Sequence, residues 1–95
     1  MPVMCTPLFA LGTLVATPGA LQALVEAGQT PLEFLGRHVL GDWGDLSFDD
    51  RRANEDSLRQ SARIFSSYRT VTGTKLWVIT EADRSSTCIL LPEEY

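Results

Sequence analysis

The sequence predicts an α+β domain in which three helices pack on a small, mainly antiparallel sheet, in the order β-α-α-α-β-β-β. Three observations carry that expectation. Thr17-Pro18 and Thr30-Pro31 each set a capping residue ahead of a proline, and Ser47 stands ahead of Phe48-Asp49-Asp50, so three helix starts are marked. After residue 61 come three runs rich in β-branched and aromatic residues, separated by hairpin-length connections. Before the first helix start lies a short apolar run that suits a strand.

That run, FALGTLVA at 9–16, is expected to form a strand covered on both faces, ending at Thr17-Pro18-Gly19. Thr17 then caps a first helix over 18–27, with Leu21, Leu24 and Val25 at helical spacing and Gly28 as its stop. Thr30-Pro31-Leu32-Glu33 matches a capping box and opens a second helix, striped by Leu32, Leu35 and Val39 and ended by Gly41. Ser47 caps the third, where Asp49 and Asp50 favour the positive end of the dipole. Only Ala53 and Leu58 are apolar between 51 and 60, so most of this helix is expected to lie in water.

Strands are expected over 62–69, 75–81 and 86–91, joined by TVTGT and ADRS into an antiparallel meander. Both parities are apolar in Leu76-Trp77-Val78-Ile79 and Cys88-Ile89-Leu90-Leu91. Such strands are either central and covered on both sides or placed at a homodimer interface.

The 95 residues, 44% hydrophobic and 21% charged, make one domain with a single core. A net charge of −4 disfavours a nucleic-acid partner, which calls for a basic patch. Cys5 and Cys88 suggest no disulfide framework and suit a reduced, cytoplasmic setting. Two cysteines and one histidine, far apart, do not have zinc-ligand spacing, and the glycines form neither a phosphate loop nor a dinucleotide fingerprint. No metal and no cofactor are therefore expected. The first 25 residues carry no charged side chain, yet no basic stretch precedes PLFALGTLVAT and Thr17-Pro18-Gly19 interrupts it. Neither a signal peptide nor a membrane span is expected.

The stretch RHVLGDWGD at 37–45 gathers the only histidine, one of two tryptophans and two carboxylates. In a catalytic reading His38 is a general acid or base oriented by Asp42, four residues on, with Arg84 as an anion clamp. In a structural reading His38 favours the negative end of the second helix, Asp42 bonds turn amides and Trp43 drops into a groove. Arg84, in Glu81-Ala82-Asp83-Arg84, belongs on that reading to a salt-bridged turn. Segment 42–56 holds Asp42, Asp45, Asp49, Asp50, Glu55 and Asp56 against only Arg51 and Arg52. It is either a solvated face or an acidic recognition surface with Trp43 as aromatic anchor.

GDWG at 41–44, Asp50 and Asn54, SSY at 66–68 and WVITEADRSSTCILLPEEY at 77–95 together resemble a family of small bacterial proteins found on plasmids and integrated elements. The resemblance runs from LGTLVATPGAL onward. It implies a mobile-element setting and no established activity. Some members bear a restriction–modification label, but this chain has neither the cofactor motif nor the length of a DNA methyltransferase.

The expectation is a small, soluble, non-enzymatic interaction protein that binds a protein partner through Asp42, Trp43, Asp45, Asp49, Asp50 and Asn54, with Arg84. A small enzyme, perhaps hydrolytic, using His38, Asp42 and Arg84 is the first alternative. A small-ligand module with an apolar cavity and a few inward polar groups is the second.

Overall fold

The computed structural model describes residues 6–95. It contains β1 (Thr13–Ala16), α1 (Pro18–Ala27), α2 (Pro31–Val39), α3 (Phe48–Gln60), β2 (Ile64–Arg69), β3 (Lys75–Thr80) and β4 (Ser86–Leu90), and ends in a 3-10 turn at Pro92–Glu94. The fold is α+β in the expected order. The sheet runs β1-β4-β3-β2, with β1 parallel to β4 and the other neighbours antiparallel. Cys5 lies outside the described residues. Among those residues no helix is long and apolar enough to cross a membrane.

The helix starts behave as capping chemistry dictates, with one exception. Thr17 accepts from the Ala20 amide at 3.3 Å, and Ser47 accepts from the Asp50 amide at 3.2 Å. Thr30 makes no side-chain cap, and Glu33 accepts instead from Gln29 Nε2 at 2.6 Å, so the expected capping box does not form. The C-terminal turn supplies a further cap. Glu94 accepts from the Gly19 amide at 3.1 Å and from the Thr17 hydroxyl, placing a carboxylate at the positive end of α1. Those bonds hold the Glu94 carboxyl below its ordinary range, the Thr17 hydroxyl contributing most.

Ala20, Ala23 and Leu24 of α1 and Phe34 and Leu35 of α2 pack on Tyr68, Leu76, Val78 and Ile89 from one face of the sheet. Each large apolar side chain buried there contributes about 1.5–3 kcal/mol. The register of α2 differs from the expected stripe. Leu32 is exposed, and Phe34, Leu35 and His38 face inward. The polar side of His38 finds partners on the sheet, so a residue outside the apolar pattern sets which way the helix is turned. On the other face Phe65 meets Trp77 at 5.1 Å, and Trp77 meets Tyr95 at 5.8 Å. β3 and β4 are central strands, as their two apolar faces predict.

β1 departs further from expectation. It spans only Thr13–Ala16, because Gly12 takes φ +67° and turns the preceding residues out of the sheet. It is an edge strand, and Thr13, Leu14 and Val15 are exposed instead of covered on both faces. Residues 7–11 cross the helical side of the sheet instead. Leu8 donates to the Val39 carbonyl at 2.9 Å, and the Leu11 carbonyl accepts from Thr87 at 2.7 Å.

Candidate functional site

The inward turn of α2 carries His38 onto the ends of β2, β3 and β4, where it joins a buried polar chain. Nδ1 lies 2.5 Å from Ser66 Oγ and Nε2 lies 2.9 Å from Thr80 Oγ1. Thr80 Oγ1 is 2.7 Å from Thr87 Oγ1, which donates to the Leu11 carbonyl at 2.7 Å. Counting protons fixes the directions. Thr87 spends its one hydrogen on Leu11, so Thr80 donates to Thr87 and accepts from His38 Nε2–H, leaving Nδ1 to accept from Ser66. A neutral imidazole satisfies every member.

Burial reinforces that state. His38, Ser66, Thr80 and Thr87 are buried. Phe9 stands edge-on to the imidazole at 5.2 Å and Trp43 at 5.9 Å. Loss of hydration disfavours the cation and lowers the His38 pKa from 6.5 to about 4.

Asp42 does not orient this histidine. α2 ends at Val39, and Gly41 at φ +88° swings the chain so that Asp42 meets Arg37 on the helix exterior. Arg37 Nε donates at 2.7 Å and Nη2 at 3.3 Å to the two carboxylate oxygens. That bidentate pairing holds the Asp42 carboxyl below its usual range.

Arg84 does approach from the same side, its guanidinium 5.7 Å from the centre of the Phe9 ring. Both of its Nη nitrogens are nevertheless bonded to the backbone. Nη1 bonds the carbonyls of Ala62 at 2.7 Å, Ala82 at 3.0 Å and Glu81 at 3.2 Å, and Nη2 bonds Ser57 at 3.0 Å. Arg84 thus closes the C-terminal end of α3, the negative end of its dipole. The catalytic set of His38, Asp42 and Arg84 is taken apart by these partners. Among the described residues no group of three His, Cys, Asp or Glu side chains is placed to hold a metal.

The concave surfaces lie elsewhere. An open trough of about 440 Å³ is lined by Pro7, Phe9, Leu11, Leu14 and Val39, among others, and a second of about 200 Å³ by Leu14, Pro31, Leu32 and Leu35. Among the described residues neither is lined by the inward polar side chains that fix a small ligand's orientation.

The acidic segment is divided between scaffold and surface. Trp43 is only 2% exposed, its ring stacked on Phe9 at 6.3 Å, so it is no surface anchor. Its Nε1 is buried without a partner among the described residues. Asn54 is buried as well. It donates to the Phe65 carbonyl at 2.6 Å and accepts from the Phe65 amide at 3.1 Å, pairing with edge strand β2 as a neighbouring strand would. Asn54→Ala should strip both partners and cost about 2 kcal/mol, read as a lowered urea midpoint; a change below about 0.5 kcal/mol would show the two bonds to be dispensable.

Asp42, Asp45, Asp49 and Asp50 are exposed. Asp45 faces Arg69 at 3.7 Å, whereas Asp49, Asp50 and Glu55 form no ion pair among the described residues. Arg51 is turned away from them to the Gly44 carbonyl at 2.6 Å and the Leu46 carbonyl at 3.2 Å. Beside these acids Phe48 is 71% exposed, with Arg52 5.9 Å from its ring centre. Sequence reasoning missed Phe48. The available signal was angular: six residues separate Phe48 from Asn54, which sets them roughly 120° apart on a helix.

Comparison with protein-family models, with curated proteins and with solved structures gives no match.

Proposed function

We propose that this chain is a non-enzymatic interaction protein that binds a basic protein partner through the N-terminal part of α3 and the loop before it. The observation that carries the reading is Phe48, an exposed aromatic ring set among the exposed carboxylates of Asp45, Asp49 and Asp50. An aromatic side chain entering a pocket supplies anchoring energy at the centre of an interface. Surrounding acids raise the association rate with a basic surface and discriminate against acidic ones. Asp42, paired to Arg37, lies at the rim of this face. Trp43, Asn54 and Arg84 support it from beneath, through the core, the β2 edge and the end of α3. The resemblance to mobile-element proteins favours a partner from the host or from the element itself.

The test is affinity capture from nuclease-treated host lysate with the wild-type chain and with the combined variant Phe48→Ala, Asp49→Lys, Asp50→Lys. Circular dichroism confirms that the variant is folded, as the exposure of all three positions leads one to expect. A basic protein held by the wild type and reduced at least tenfold by the variant is the expected result. Equal capture by both chains would contradict the assignment of the surface.

A further inference from the structure

We propose that the β1 edge is a homodimer interface, at which a second copy of this chain adds its own β1 antiparallel to the first and extends the sheet across a twofold axis. The two sheet edges are treated in opposite ways. The β2 edge is closed along its length. Asn54 takes both backbone groups of Phe65, the Trp43 carbonyl and Asp45 amide take those of Ser67 at 3.1 and 2.7 Å, and charged Arg69 stands at its end. Blocking side chains and charges are the usual protections of an edge.

Among the described residues the β1 edge has none of these. Thr13 donates to the Ser85 carbonyl just before β4 and Thr17 to the Ile89 carbonyl within it, so the backbone groups of the alternate residues, Leu14 and Ala16, point away from the sheet. No charge or proline interrupts Thr13–Ala16. The side chains of Leu14 and Val15 are 49% and 48% exposed, and the two apolar troughs meet at Leu14.

The occupant is a second copy because this edge is self-complementary in both bonding and charge. With Val15 opposite Val15 of the second copy, each outward Leu14 faces an outward Ala16, and the two exchange both backbone hydrogen bonds. A body of net charge −4 repels its own copy, but residues 6–25 carry no charged side chain, so two such edges meet without that cost. Leu14, Val15, Leu32, Pro7 and Ala10 together expose on the order of 400 Å². That is about half of what one partner gives a standard interface, which fits a weak, transient dimer. β1 and β2 are opposite edges of the sheet, and α3 lies beside β2, so the dimer leaves the Phe48 face free.

Sedimentation of the wild-type chain from roughly 5 to 500 µM tests this directly. The weight-average mass is expected to climb from the 10.5 kDa of one chain toward twice that value. Leu14→Lys and Val15→Lys, each at a half-exposed site, should stay monomeric throughout, and Asp49→Lys should dimerise as the wild type does. Independently of any variant, the Leu14 and Ala16 amides of the wild type should exchange with solvent at least about fivefold more slowly in the concentrated sample. A constant monomer mass with fast exchange at both amides overturns the proposal and leaves the edge to a strand from a different protein. A dimer that survives both lysine substitutions overturns it equally.

Discussion

Gly44→Ala is expected to lower the unfolding free energy by about 4 kcal/mol, a large part of what a domain of this size holds. Gly44 adopts φ +74°, where an L side chain is strained, and a Cβ there would stand 2.0 Å from the Ser67 carbonyl oxygen and 2.6 Å from Tyr68 Cδ1. Neither obstacle is the far end of a flexible side chain. To admit the methyl group, residues 43–45 must leave β2, breaking the bonds between Ser67 and both Trp43 and Asp45 and withdrawing Trp43 from Phe9 and His38. Equilibrium urea denaturation followed by tryptophan fluorescence measures the loss. A change under about 1 kcal/mol would mean that the 43–45 segment is not bound to the edge as described.

Acid should weaken the fold through His38 in a defined window. The unfolded chain takes up a proton on this imidazole near pH 6.5, whereas the folded chain does so only near pH 4. Between those values the unfolded state binds more protons, so stability falls as pH falls. The contribution is fully present above pH 6.5, declines by about 3 kcal/mol on going to pH 4, and changes little below that. The carboxyls of Asp42, Asp83 and Glu94, all held below their ordinary range, add to the loss at more acidic pH. Unfolding free energies measured from pH 8 to pH 4 should show the decline, and His38→Gln should flatten it. A wild-type profile that is flat across this window would contradict a buried neutral imidazole.

What could be read in advance follows from the range of the interactions involved. Helix starts and stops are local, so the bounds of α1, the Ser47 cap and the three-strand meander were legible in neighbouring residues alone. The direction in which α2 faces was not. Periodicity assigns Leu32 to the core and passes over His38, because a hydrophobic pattern gives no weight to hydroxyls on three distant strand positions, Ser66, Thr80 and Thr87. Trp43 as an aromatic anchor and Asn54 as a binding residue were set on the surface for the same reason, although the structural reading already dropped the Trp43 ring into a groove: their partners, Phe9 and the backbone of Phe65, are distant or carry no sequence signal. Arg84 was read as an anion clamp or as part of a salt-bridged turn, whereas its φ of 62° and its four carbonyl partners, none a carboxylate, belong to tertiary geometry. The acidity of 42–56 was plain from composition. That Phe48 supplies its exposed ring depended on knowing which side of α3 Asn54 occupies.

The one histidine is held neutral as part of the scaffold, by burial and by its Ser66 and Thr80 hydroxyl partners. Nuclear magnetic resonance titration of the His38 imidazole tests it most directly. The expected result is the neutral form with hydrogen on Nε2 at pH 7 and protonation only near pH 4. An imidazole in the other tautomer, or one titrating at or above pH 6.5, would contradict it and return His38 to the list of groups able to transfer a proton.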